Sequence, residues 1–146
     1  MKTITVKRVI KAPIEQVFDI LADHANYKSF PGIKESKLIR EGKADKNGVG
    51  AVREITAMGA WFQEEITHYA RPNRLDYLIV KARPPMDHKG GSVQLVPHPQ
   101  GCEVTWTTQV HIAIPLIGAL LDRLVLPQLE KGLAGTLKSI EQRLAA

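Results

Sequence analysis

The chain contains little cysteine and no long hydrophobic run. Its single cysteine, Cys102, excludes an intramolecular disulfide and fits a reducing compartment. The longest apolar run, residues 112–121, is about half as long as a membrane-spanning helix and is interrupted by Pro115. Residues 1–13 alternate polar and apolar side chains like a strand and lack the hydrophobic run of a secretory signal. We therefore expect a soluble, cytoplasmic protein without a transmembrane segment.

Motifs of metal and cofactor sites are also missing from the sequence. There is no CxxC pair, nucleophile elbow, phosphate-binding loop or dinucleotide fingerprint. The histidines are scattered, and no two of them have the spacing of a close ligand pair: His24, His68, His88, His98 and His111. We therefore expect neither a metal ion nor a cofactor.

The positive charge of the chain is spread rather than concentrated. The formal net charge is +5, which suggests nucleic acid as a partner to be considered. In the densest cationic segment, residues 34–46, the charge is diluted by Glu35, Glu41 and Asp45, and no series of exposed aromatic residues accompanies it. This pattern is typical of a solvated strand edge, so we do not expect nucleic acid binding.

The pattern of elements predicts a single domain, residues 1–146, of the α+β class. Residues 3–11 read as a strand, Pro13 opens a helix, and residues 26–32 favour a short second helix or turn. Strand-like segments separated by turn residues follow at 33–41, 50–57, 60–71, 74–82, 88–97 and 103–114. Such short separators imply an antiparallel meander.

The hydrophobic period becomes helical over residues 116–144, where Pro127 should kink the helix. Its expected apolar stripe is Leu120, Leu124, Leu129, Leu133, Leu137, Ile140 and Leu144. Glycines within the helix suggest room for another molecule or, alternatively, ordinary close packing on the sheet: Gly118, Gly132 and Gly135. A sheet of about seven strands must curve around this helix to be covered, and the curvature creates a groove for a small molecule.

A charged pair on an apolar face is the most informative feature of the sequence. Alternation gives one face of a predicted hairpin Ala51, Arg53, Ile55, Ala57, Phe62, Glu64, Ile66 and His68. With Met58-Gly59 as the turn, Arg53 is directly opposite Glu64. Buried charges cost several kcal/mol each, so the pair suggests a cavity that holds water or a polar ligand group. The alternative is that both charges are solvated on an exposed strand face.

Periodicity also nominates other residues of a cavity wall. These candidates are Leu75, Tyr77 and Ile79 on one strand, Trp106, Thr108, Val110 and Ile112 on another, and Val125, Leu129 and Leu133 on the helix. For Tyr77 and Trp106, the alternative is a packed aromatic ring whose polar atom is hydrogen-bonded within the core.

The order of elements and several segments together resemble one known superfamily over essentially the whole chain. The segments are IKAPIEQVFDILAD, YKSFPGIKESKLI, VGAVREI, FQEEI and LEKGLAGTLKSIEQRL. They resemble the SRPBCC superfamily, most closely its polyketide cyclase/dehydrase and lipid-transport branch. The resemblance implies the helix-grip, or START-like, fold: a curved antiparallel sheet around a long C-terminal helix, with two short helices after the first strand. Members of this superfamily include lipid carriers, hormone receptors, cyclases and quinone-binding proteins, so fold alone does not assign the function.

Individual motifs resemble the plant abscisic-acid receptors. VGAVREI and FQEEI are similar to receptor strands that carry the polar network beside the ligand, which implies that Arg53 and Glu64 lie in the pocket wall beside Ile55 and Ala57. Lys34 stands where those receptors hold a lysine that meets a ligand carboxylate, although alternation leaves open whether Lys34 or Ile33 faces inward. The Met58-Gly59 turn is shorter than the receptors' gating loop and lacks its proline, so hormone-type gating is not expected.

Three functional hypotheses remain open at this point. The first is a carrier, monomeric or homodimeric, for a small hydrophobic ligand with one polar or anionic end near Arg53. The second is a cofactor-independent cyclase or dehydratase, whose acid–base candidates would be Glu64, His68 and His88, although a glutamate paired with an arginine suits charge anchoring better than proton transfer. The third is an interaction module, because YKSFPGI resembles the quinone-chaperone and ribosome-associated branches.

Overall fold

A computed structural model describes residues 1–145. The elements in chain order are β1 (Lys2–Ile10), α1 (Ile14–Ala22), a 3₁₀ helix (His24–Ser29), β2 (Ile33–Arg40), β3 (Val52–Ala57), β4 (Ala60–Ala70), β5 (Arg74–Arg83), β6 (Met86–His98), β7 (Gly101–Ile112) and α2 (Gly118–Ala145). All the predicted elements are present, with ends that differ by a few residues.

The strands form one antiparallel sheet of seven, in the order β1-β7-β6-β5-β4-β3-β2. Strands β2 to β7 are neighbours in the order in which they occur in the chain, and β1 completes the sheet beside β7. The sheet curves around α2, with the two short helices after β1, so the helix-grip fold that the sequence resemblance implied is confirmed.

The first helix, α1, packs through one apolar face. It buries an apolar face composed of Val17, Phe18, Leu21 and Ala22. These side chains join residues from the inner face of the sheet and from the C-terminal half of α2 in the main hydrophobic core. A smaller cluster, comprising Ile4, Val110 and Leu126, lies under the N-terminal half of α2.

The predicted leucine stripe of α2 is wrong in its N-terminal half. Leu120 and Leu124 are 55% and 63% exposed, respectively. The buried face at this end instead consists of Gly118, Asp122 and Leu126, spaced by one helical turn. Asp122 determines this orientation, since its Oδ1 accepts a hydrogen bond from the Ile112 backbone N–H at 2.8 Å. Leu120 and Leu124 are each two positions from Asp122, which is roughly 200° around the helix, so they face outward.

One glycine in α2 has a clear packing role. A side chain on Gly118 would overlap the backbone carbonyl of Ile112, so the helix begins in direct contact with the end of β7. Gly135, in contrast, has open space around it. Close backbone approach therefore explains Gly118 and does not explain Gly135.

The predicted orientation of His68 is wrong, because β4 contains a bulge. The register between β4 and β5 shifts between Ile66 and His68, which breaks the strict alternation of faces. His68 is consequently exposed, while Tyr69 packs against Phe18 with ring centroids 5.3 Å apart. His68 therefore does not face the interior, where a catalytic role would require it.

Candidate ligand-binding site

A cavity of about 400 Å³ lies between the inner face of the sheet and α2. The predicted wall residues that line it are Arg53, Ile55, Ala57, Phe62, Glu64, Tyr77, Ile79, Trp106, Thr108, Val110, Ile112, Val125, Leu129 and Leu133. Strand alternation and the helix bring these side chains together from five elements, β3, β4, β5, β7 and α2.

Three predicted wall residues do not line this cavity. Lys34 is exposed and borders a separate surface depression, whereas its neighbour Ile33 faces the cavity. Ile66 is fully buried in the main core beyond the cavity. Leu75, on the same strand face as Tyr77, also belongs to the core. The lysine–carboxylate contact implied by the resemblance is therefore not available inside the cavity.

The charged pair is buried at one end of the cavity. Arg53 and Glu64 are direct cross-strand partners, and their side chains are 2% and 7% exposed. Arg53 Nε donates to Glu64 Oε1 at 2.5 Å, while Arg53 Nη1 is buried without a partner anywhere in residues 1–145. The alternative of a solvated pair on an exposed strand face is therefore wrong.

Tyr77 lies beside this pair and is held from several sides. The Arg53 guanidinium carbon is 5.0 Å from the centre of the Tyr77 ring, and Trp106 Nε1 donates to Tyr77 Oη at 2.9 Å. The ring also stacks on His88, and a side chain on Gly91 would overlap it. Burial, together with the nearby Glu64 carboxylate, raises the pKa of Tyr77 to about 12. Its hydroxyl is therefore protonated at neutral pH.

His88 supports the cavity wall from behind. It does not line the cavity, and both of its ring nitrogens are engaged. Nδ1 accepts the Ile79 backbone N–H at 2.9 Å, and Nε2 lies 2.7 Å from Thr108 Oγ1. Burial lowers the pKa of His88 to about 4, so the ring is neutral near pH 7. With Nδ1 as the acceptor, the single ring proton is on Nε2 and is donated to Thr108.

The family model for polyketide cyclase/dehydrase and lipid transport matches residues 1–145. The chain belongs to this family. The search of curated proteins found no match.

Several solved structures have the same architecture at low sequence identity. The protein TTHA0849 from Thermus thermophilus has a TM-score of 0.81 at 20% identity, over 99% of this chain and 97% of that one. Ara h 8.0201 has a TM-score of 0.72 at 19% identity, over 99% and 97%. Norcoclaurine synthase from Thalictrum flavum, in complex with dopamine and hydroxybenzaldehyde, has a TM-score of 0.70 at 15% identity, over 99% and 86%. These likenesses establish the fold.

Several cavity residues of this polyketide cyclase/dehydrase family member were not anticipated from the sequence. They include Tyr27, Met58, Met86, Leu126, Lys131 and Thr136. Tyr27 comes from the 3₁₀ helix, where its hydroxyl donates to the Leu21 carbonyl and its ring reaches the cavity. A four-residue step from Asp122 would have found Leu126, whereas a short 3₁₀ helix gives no periodic signal that identifies Tyr27.

Two further observations bear on the chemistry of this family member. In the described part of the chain, residues 1–145, no group of three or more His, Cys, Asp or Glu side chains could hold a metal ion. Across the same residues, no helix is long and apolar enough to cross a membrane.

Proposed function

We propose that this protein binds and carries a small, mostly hydrophobic molecule whose polar end meets Arg53 inside the cavity. The observation that carries the proposal is the buried Arg53 guanidinium, whose Nη1 lacks a partner in the described chain. A buried donor without a hydrogen bond costs about 1–3 kcal/mol. A ligand oxygen would recover this cost when the guanidinium turns Nη1, which is closed off in this structure, towards the cavity. A ligand that supplies this oxygen therefore binds more tightly than one that does not.

The shape and lining of the cavity support a hydrophobic body for this ligand. A volume of about 400 Å³ is within the range of small-molecule sites. Away from the charged pair, the wall is mainly aliphatic and aromatic, with Ile55, Phe62 and Ile79 on the sheet and Leu126 and Leu129 on the helix. Burial of an apolar ligand surface against such side chains supplies the main driving force for binding.

A carrier role is better supported than cyclase or dehydratase activity. A catalytic acid or base must reach the substrate, yet His88 is behind the wall with both ring nitrogens engaged. Glu64 lines the cavity but is paired with Arg53. The open cavity also argues against an interaction module, for which we would expect a collapsed groove.

Native mass spectrometry of the protein as purified from cells tests the proposal. We expect a bound small molecule in the wild type, its loss in Arg53→Met, and its retention in the matched surface variant Arg71→Met, since Arg71 pairs with Asp19 on the exterior. If no molecule co-purifies, the apo protein is titrated with the neutral fluorophore N-phenyl-1-naphthylamine. Absence of saturable binding, or equal binding after filling the cavity with Ala57→Trp, would refute the proposal.

A further inference from the structure

The polar end of the cavity carries no net charge. Arg53 is neutralised by Glu64 at 2.5 Å, and both side chains are buried. His24 is fully buried nearby, and burial, with a further contribution from Arg53, lowers its pKa well below the usual value, so it is neutral. Lys131 also lines the cavity but is exposed, which places it at the opening. A carboxylate at the inner end would thus be a third buried charge without a counter-ion, which is costly.

At this end of the cavity, the available hydrogen-bond donors outnumber the acceptors. Tyr77 Oη accepts from Trp106 Nε1, and Thr108 Oγ1 accepts from His88 Nε2. Each hydroxyl therefore retains its own proton for donation. Thr108 and Tyr77 also share a hydrogen bond, which uses one of these two protons and leaves the other for a ligand. The unpaired Arg53 Nη1 adds a further donor.

These donors are at the same place in the cavity. Tyr77, Thr108 and Arg53 all line it, and the Arg53 guanidinium carbon lies 5.0 Å from the centre of the Tyr77 ring. Glu64 is the acceptor group among them; its Oε1 binds Arg53 Nε, which leaves Oε2 as an acceptor beside the three donors. Because donors outnumber acceptors here and the end carries no net charge, an uncharged group that accepts hydrogen bonds matches this combination.

We infer that the inner end of the cavity selects a neutral carbonyl oxygen, as in a ketone, aldehyde or quinone, over a carboxylate. The inference rests on the proposed function and defines the chemical class of its ligand. A carbonyl oxygen has two lone pairs, so it accepts from one hydroxyl and, once a turn of the guanidinium opens Nη1 to the cavity, from Arg53 as well. It satisfies the unpaired donors and leaves the Arg53–Glu64 pair intact.

Three probes of matched size and shape test this selectivity: 2-acetylnaphthalene, 2-naphthoate and 2-ethylnaphthalene. Calorimetric titration of the apo protein should give an affinity for the ketone about tenfold above that for the hydrocarbon. The carboxylate should be the weakest of the three. In the variant Tyr77→Phe, the affinity for the ketone should fall while the affinity for the hydrocarbon stays the same. If Tyr77→Phe does not fold, Thr108→Val replaces it, and the same result is expected.

A vibrational measurement reports the contact itself. The carbonyl stretch of isotope-labelled 2-acetylnaphthalene should shift to lower frequency on binding and shift less in Tyr77→Phe. Equal affinities for ketone and hydrocarbon, or tightest binding of the carboxylate, would overturn the inference and leave the proposed function standing. If none of the three probes binds, the proposed function fails as well.

Discussion

Removing the charge of Glu64 while keeping its shape is the sharpest test of the buried pair. Glu64→Gln leaves the Arg53 guanidinium, 2% exposed, without a counter-charge. Two unit charges about 4 Å apart attract by about 4 kcal/mol at an effective dielectric constant of about 20. Breaking a buried pair by neutralising one partner typically costs about 3–5 kcal/mol. We therefore expect the free energy of unfolding to fall by about 3 kcal/mol or more.

Urea denaturation followed by tryptophan fluorescence measures this loss. For a slope of about 1–3 kcal/mol per molar urea, the midpoint should fall by more than about 1 M with the slope unchanged. The matched control is Asp19→Asn, because the Asp19–Arg71 pair has good geometry but side chains 55% and 45% exposed. We expect no measurable shift there. Equal shifts in the two variants would mean that the Arg53–Glu64 pair is solvated, and the reasoning would be wrong.

Two further predictions concern the residues behind the cavity wall. His88 has a folded-state pKa of about 4 against 6.5 in the unfolded chain, so unfolded molecules bind more protons between these values and stability should fall as the pH drops from 6.5 towards 4. His88→Gln should make this decline shallower in thermal melts across that range, and an unchanged slope would contradict the assignment. Gly91→Ala should destabilise the fold by about 1–3 kcal/mol because the new methyl group overlaps the Tyr77 ring. The control Gly135→Ala, in open space on α2, should stabilise it by about 0.5–1 kcal/mol, and similar effects at both positions in urea melts would refute this account.

Local rules were sufficient to predict the hairpin and its charged pair. Strand alternation and a two-residue turn fix which residues oppose each other, and the observed register pairs Arg53 with Glu64 as predicted. The same alternation failed for His68, because a bulge inserts a residue without a clear sequence signal. It left Lys34 undecided, and the structure turns this lysine to the surface.

The orientation of α2 could not be predicted from hydrophobicity alone. Leu120 and Leu124 fit a helical stripe, yet a polar residue, Asp122, occupies the buried face. Asp122 is buried because it binds the Ile112 backbone N–H and His111 Nδ1, and both contacts depend on the end of β7. A binary pattern treats such an aspartate as solvent-facing, so it places the N-terminal half of the stripe on the wrong side of the helix.

The position of β1 has a consequence for how this chain folds during synthesis. Strands β2 to β7 can pair in the order in which they leave the ribosome, since each is adjacent to the next in the sheet. β1 is the first of the seven strands to be made, but its register partners are residues 102–110 of β7. β1 therefore stays unpaired until β7 has been translated. Such non-local pairing is slow because a long loop must close. Completion of the sheet is thus a late event, in which the strand that is made first docks beside the strand that is made last.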